Sequence, residues 1–276
     1  MSETYRVGIF SVNAPLESGV APFVLSRVDG VVCRLTLNRG DRYNPLSRDM
    51  IAALRAELSR IAADPDVRCV VLGAEGKGFC AGHDLKELRA HDDLAWQRDL
   101  FASCNELMVA ITRLPQPVIA RVHGIATAAG CQLVSMCDLA VASDTARFAL
   151  PGVNVGVFCT TPAVGVGRNI ARKRVMEMLL TGEPIDAATA LAWGLVNRVV
   201  PEAELDAAID AFVRIIIARS RAVIASGKQA FYRQIDLGLE PAYQLAGEVM
   251  ACSLLEADAH EGIDAFVQKR PPKWDA

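Results

Sequence analysis

Two segments of this chain follow one pattern: an apolar run rich in β-branched residues, then a loop of small residues, then a helical pattern. The first runs from residues 67–72 through 73–82 into Leu85 and Leu88. The second runs from 117–122 through His123-Gly124 into 128–136, and a further apolar run follows at 139–142. Strands that recur with helices between them must be parallel neighbours joined by right-handed crossovers. That excludes an all-helical bundle and an all-β sandwich, and predicts an α/β layer structure.

The flanking segments fit this frame. Residues 24–28 and 31–37 are β-rich and split by Asp29-Gly30, the signature of a tight hairpin. After Ser47, a plausible N-cap, Met50, Ile51, Leu54, Leu58 and Ile61 repeat at helical spacing until Asp64-Pro65. Leu100, Phe101, Cys104, Leu107, Met108 and Ile111 line one face of a long helix that ends near Leu114-Pro115. Thr161-Pro162 starts another helix, residues 172–180 form one closed by Thr181-Gly182, and Asp186 caps a short one ending at Trp193-Gly194. After a strand at 195–200 only helices remain, at about 203–219, 222–235, 241–256 and 259–268. The expected organisation is an extension at 1–22, an α/β core at 23–200 and a helical region at 201–276.

Charge and composition narrow the partners. The formal net charge is −3, with no basic arm or basic/aromatic tract, which argues against nucleic acid and anionic membranes. No apolar run approaches the ~20 residues that span a bilayer. Residues 1–21 lack a charged start followed by an apolar block, and Glu3 and Glu17 are foreign to a transit peptide. The eight cysteines form no C-x-x-C pair, so they read as buried thiols in a reducing compartment, with no zinc site. The default expectation is a cytoplasmic protein.

The chemistry concentrates in the two loops. Small residues let a ligand approach the main chain, and a helix start offers free N–H donors. Two such turns side by side can aim two N–H groups at one developing oxyanion. A single small-residue turn, taken alone, is more often a plain connector.

The motifs A-G-H-D-L-K-E-L at 81–88 and H-G-I-A-T-A-A-G-C-Q-L-V-S-M-C-D at 123–138 resemble the enoyl-CoA hydratase (crotonase) superfamily. Further matches are Leu37-Asn38-Arg39, Phe148, Leu191, Gly194-Leu195-Val196, Glu261-Gly262, Phe266, Lys269 and Arg270, so the resemblance covers residues 24–272. It implies a crotonase-like α/β spiral of β-β-α units with a helical C-terminal region that builds trimers, often paired into hexamers. It implies an acyl-CoA or enoyl-CoA ligand, coenzyme A being part of the substrate, and no separate cofactor or metal. The oxyanion donors would be the backbone N–H groups of His83 and Ala129. Ala81 and Lys86 would meet coenzyme A, Arg42 would border its adenine end, and Phe266 and Lys269 would reach a neighbouring subunit's coenzyme. Asp138 would support the fold.

The chain departs from the family pattern where hydration chemistry is expected. The two glutamates that add water would stand at Gln132 and Gly152, and an isomerase aspartate near Thr160. Asn154 is neutral as well. Candidate acid/base groups are the His83 ring, Cys159 and Asp84, set against plainer readings: a solvent-facing ring, a pocket filler and a helix cap. His91 and His260 read as solvated, His123 as structural, and Arg172-Lys173-Arg174 as a solvated helix start. Lys269-Arg270 has the better claim on phosphates. A naphthoate-synthase-like branch also carries Gly at the second position. The segment 151–159 resembles more closely the mitochondrial "enoyl-CoA hydratase domain-containing" branch. Three functions follow: a lyase or isomerase working through a thioester enolate with weak hydration, an acyl-CoA binder without chemistry, and a thioesterase or decarboxylase on the same oxyanion hole.

Overall fold

The computed structural model describes residues 21–274, so the reading of most of the 1–22 extension lies outside the described residues. Strands β1 (Val24–Asp29) and β2 (Val32–Leu37) pair antiparallel, with Asp29 opposite Val32 and Gly30 turning at φ 59°. Helix α1 (Arg48–Ala62) starts at Ser47, whose hydroxyl accepts from the Met50 N–H. Its buried residues are Met50, Ile51, Leu54, Leu58 and Ile61, the five that the sequence spacing selects. Strand β3 (Cys69–Ala74) begins two residues later than expected, because its register is set by β2: Val32 pairs with Cys69 and Leu37 with Ala74.

Short helix α2 (Leu85–Ala90) and long helix α3 (Leu94–Arg113) follow, then β4 (Val118–Val122), β5 (Ile125–Thr127) and α4 (Ala129–Met136). Next come β6 (Leu139–Ser143), β7 (Arg147–Ala149), α5 (Thr160–Asn169) and α6 (Arg172–Thr181). The α/β part closes with β8 (Ile185–Asp186), α7 (Ala187–Trp193) and β9 (Arg198–Val200). Strands β5, β7 and β8, of two or three residues each, have no periodicity of their own and escape a sequence reading. They form a second sheet in the order β5-β7-β8, beside the main sheet β1-β2-β3-β4-β6-β9, which is parallel from β2 onward.

Alternation along β3 divides its side chains between two apolar clusters. Val70 and Leu72 join the large core with α1, α3 and α4, while Cys69 and Val71 pack with Leu205, Ile209 and Val213 of α8 (Leu205–Ile217). Helices α9 (Arg221–Gln234), α10 (Leu239–Ser253) and α11 (Ala257–Val267) form the C-terminal arm. The arm is pinned to the sheet through Asp138, just before β6. Its carboxylate accepts from Lys228 Nζ at 2.6 Å, the Tyr232 hydroxyl at 3.0 Å and the Val118 N–H at 2.7 Å. Lys228 also donates to the carbonyls of Ile111 and Gln116, so each of its three protons has an acceptor. Seven of the eight cysteines are buried and Cys252, in the arm, is exposed.

Candidate functional site

The first loop, from β3 to α2, turns on glycines at positive φ: Gly76 at 87° and Gly82 at 91°. The turn at 40–43 lies against it with no room for side chains, since a Cβ on Gly76 would sit 2.5 Å from the Gly40 Cα. Asn44 is wholly buried beneath the loop. Its Nδ2 donates to the carbonyls of Glu75 (2.9 Å) and Gly78 (3.0 Å), and its Oδ1 accepts from the Arg39 N–H at 2.8 Å. Sequence reasoning missed Asn44. The available signal was an Asn-Pro pair in a turn, where Asn tolerates the left-handed φ of 51° found here.

The second loop delivers α4. Ala128 has φ 48° and ψ −119°, a conformation that favours glycine, whereas Ala129 has an ordinary φ. The strain thus falls one residue before Ala129, at a cost on the order of 1 kcal/mol. Ala129 opens α4, so its N–H has no acceptor within the helix. The two loops touch directly here. A Cβ on Gly82 would lie 3.3 Å from the Ala129 nitrogen and 2.9 Å from the Ala128 methyl. The N–H groups of His83, next to Gly82, and of Ala129 therefore come from backbones in contact.

The remaining candidates are distributed around this junction. The His83 ring does not point to solvent. It meets Phe101 of α3 edge-on at 5.1 Å, Nε2 is sealed without a partner, and burial pushes the imidazole down to about 4. Gln132, one turn into α4, is 3% exposed with Oε1 unpartnered. Gly152 stands in a tight 3-10 turn at Pro151–Val155 and donates its N–H to the Cys159 sulfur at 3.2 Å. A Cβ on Gly152 would meet the Val157 carbonyl at 2.7 Å and that sulfur at 2.9 Å. Cys159 is buried, and burial raises its thiol, so it carries no thiolate near neutral pH. Asp84 caps α2, accepting from the N–H groups of Lys86 and Glu87.

Ala81 lies in the first loop, Lys86 on helix α2 that follows it, and Arg42 in the turn at 40–43 that lies against it. The Ala81 N–H donates to the Tyr43 carbonyl, Lys86 is exposed on α2, and exposed Arg42 lies 3.7 Å from Asp41. Phe266 and Lys269 sit at the end of the arm. Among the described residues, neither forms a hydrogen bond or ion pair with the loops, and Arg270 is engaged by Glu261 at 2.6 Å. His91 is stacked on Trp96 at 4.0 Å, His260 is exposed, and Arg174 lies over the Trp193 ring. His123 is buried, its Nε2 2.9 Å from the Gly76 carbonyl.

Comparison with known proteins decides the family. The family model described as "Enoyl-CoA hydratase/isomerase" matches residues 27–276. The chain belongs to the enoyl-CoA hydratase/isomerase family. Among the relatives of this family is enoyl-CoA hydratase domain-containing protein 3, mitochondrial. The Xenopus laevis form is 45% identical over 263 residues, 95% of this chain and 90% of that protein. The Homo sapiens form is 44% identical over 258 residues, 94% of this chain and 85% of that protein.

The crystal structure of an enoyl-CoA hydratase from Mycobacterium smegmatis superposes with a TM-score of 0.91 at 54% identity, covering 92% of this chain and 99% of the other. That of the human domain-containing protein 3 gives 0.89 at 44% identity, covering 91% and 100%. The crotonase-like α/β fold expected from the motifs is therefore the fold observed. The expectation of a cytoplasmic protein is overturned: five relatives at 44–47% identity are named mitochondrial. Composition and buried cysteines indicate a reducing environment and do not distinguish one such compartment from another.

Proposed function

We propose that the chain binds an acyl-CoA or enoyl-CoA thioester and stabilises its enolate between the N–H groups of His83 and Ala129. The observation that supports this is the close approach of Gly82, where a Cβ would lie 3.1 Å from the Thr127 carbonyl and 3.3 Å from the Ala129 nitrogen, so that the His83 and Ala129 donors would serve one oxygen. Removing an α proton from a thioester, or adding a nucleophile to its conjugated double bond, moves negative charge onto the carbonyl oxygen. Donors aimed there in advance need no reorganisation, and one of them is worth roughly 10²–10³ in rate in comparable sites. Lys86, Ala81 and Arg42 would face the coenzyme, whose phosphates need cations. Exposed Phe266 and Lys269 would meet the coenzyme held by a neighbouring copy in a trimer or hexamer.

Water addition needs a group that takes a proton and one that gives it. Gln132 and Gly152 supply neither, His83 is neutral with a ring too weakly basic for neutral pH, and Cys159 is a protonated thiol. The reading is thus an enolate-stabilising lyase or isomerase with slow hydration. This same neutral set favours, as a second reading, an acyl-CoA binder without turnover.

Crotonyl-CoA tests both readings, followed by loss of its enone absorbance and by calorimetric binding of butyryl-CoA. Binding with slow hydration is expected, and a Gln132→Glu variant should hydrate faster. A wild-type kcat in the common range of about 1–10³ s⁻¹ would sink the roles given to Gln132 and Gly152. Absence of binding would sink the acyl-CoA assignment. Gly152→Glu is the wrong companion variant, because its Cβ meets the Val157 carbonyl at 2.7 Å.

A further inference from the structure

We infer that His123 and Asn44 are positioning residues that grip the first loop through its carbonyls and so set the direction of the His83 N–H. This rests on the enolate-binding reading and extends it to two side chains that touch no substrate.

Residues 75–77 form an exposed tongue with a positive-φ glycine at its centre and no strand or helix of their own. Such tongues normally leave their carbonyls to water. Here three carbonyls are taken by two buried side chains: Glu75 and Gly78 by Asn44 Nδ2, and Gly76 by the His123 ring. A carbonyl can only accept, so His123 Nε2 is the donor in this bond. Nδ1 is sealed from solvent without a partner. A buried polar atom left without a partner costs about 1–3 kcal/mol, and Asn44 adds a left-handed backbone at φ 51°. Both costs are borne to hold a surface loop still.

The grip is passed to the donor through backbone contacts. A Cβ on Gly124, next to His123, would lie 2.2 Å from the Lys77 carbonyl, so tongue and second loop meet main chain to main chain. Onward from the tongue, the Cys80 N–H donates to the Ile125 carbonyl at 3.1 Å, and Thr127 Oγ1 to the Ala81 carbonyl at 3.0 Å. The Leu46 N–H then reaches the Gly82 carbonyl at 2.8 Å, in the peptide unit that carries the His83 N–H. A rotation of the tongue therefore tilts that peptide. Hydrogen bonds prefer donor angles above about 150° and weaken steeply below about 120°, so a tilt of roughly 30° or more costs enolate stabilisation.

The test uses the full chain and two ligands. Butyryl-CoA reports binding of the coenzyme and acyl group, and acetoacetyl-CoA reports alignment through the near-ultraviolet absorbance of its bound enolate. His123→Leu should bind butyryl-CoA within about twofold of wild type and lower the bound-enolate fraction roughly tenfold, the size expected when one donor hydrogen bond is weakened and not lost. His123→Gln, which keeps an N–H donor, should recover most of the enolate. Asn44→Asp, which keeps the shape and loses the Nδ2 donor, should repeat the loss and serves if His123→Leu fails to fold. An unchanged enolate fraction in His123→Leu and Asn44→Asp overturns the proposal. So does an equal loss of butyryl-CoA binding, which would make the pair a folding clamp only. If wild type gives no enolate signal, the parent reading has failed, and that is seen before any variant is made.

Discussion

Helix α8 and the arm helices α9 and α10 are neighbours in sequence and treat their apolar residues in opposite ways. Helix α8 buries Leu205, Ile209 and Val213 against the sheet. Helices α9 and α10 bury no apolar residue in the single chain, and leave Phe231, Tyr243 and Met250 more than half exposed. At the end of α11, Phe266 is 86% exposed. Scattered exposed apolar residues are normal, whereas several on one set of helices mark an interaction surface. The α/β part thus completes its core within one chain. The arm leaves its apolar side chains exposed and is held to the body by a buried polar pin in place of an apolar core.

The most severe way to break that contrast is to remove the pin. Lys228→Met leaves Asp138 without its cation and two carbonyls without a donor, and should cost about 3–5 kcal/mol in urea unfolding. If the loss falls within ±0.5 kcal/mol, the arm is held by something other than this pair. Next in size is Phe266→Glu. It should leave chain folding nearly intact and deny the assembly about 1.5–3 kcal/mol of burial per copy, read as a shift to smaller species in sedimentation. A wild-type monomer at micromolar concentration would remove the arm's proposed role.

A more gradual effect, spread over pH, lies in the body. His83 has its folded-state imidazole lowered from 6.5 to about 4 by burial, so between those values the unfolded chain binds the proton that the folded chain refuses. Stability should therefore fall as pH drops from about 6.5 towards 4, by at most about 1.4 kcal/mol per pH unit from this group. A His83→Gln variant should flatten that slope, and equal slopes in both proteins would contradict it.

Periodic elements were legible in the sequence because their signal is local. The spacing in α1 selects its five buried residues, and Asp186 and Ser47 cap the helices they precede in the chain. What escaped depends on contacts distant in sequence. Strands β5, β7 and β8 exist because they pair with one another, Asn44 matters because residues 75–78 pass over it, and the strain at Ala128 follows from the join of β5 to α4. Gly152 shows the limit from the other side. Its sequence position reads as a lost carboxylate, whereas in space the turn closes so tightly on it that a side chain has no volume to enter. The two small-residue loops were visible as loops, but their contact at Gly82 and Ala129 was not.

The thiol distribution makes the molecule its own reporter of opening. Cys252 is the one exposed thiol, while burial pushes those of Cys69, Cys80, Cys104 and Cys131 up to about 12. A gentle alkylating reagent would mark the arm first, at a rate slowed by Glu248, which holds the Cys252 thiol up, and reach the sheet and α4 only as fast as they come apart. The order in which the chain gains mass would then trace which layers loosen first.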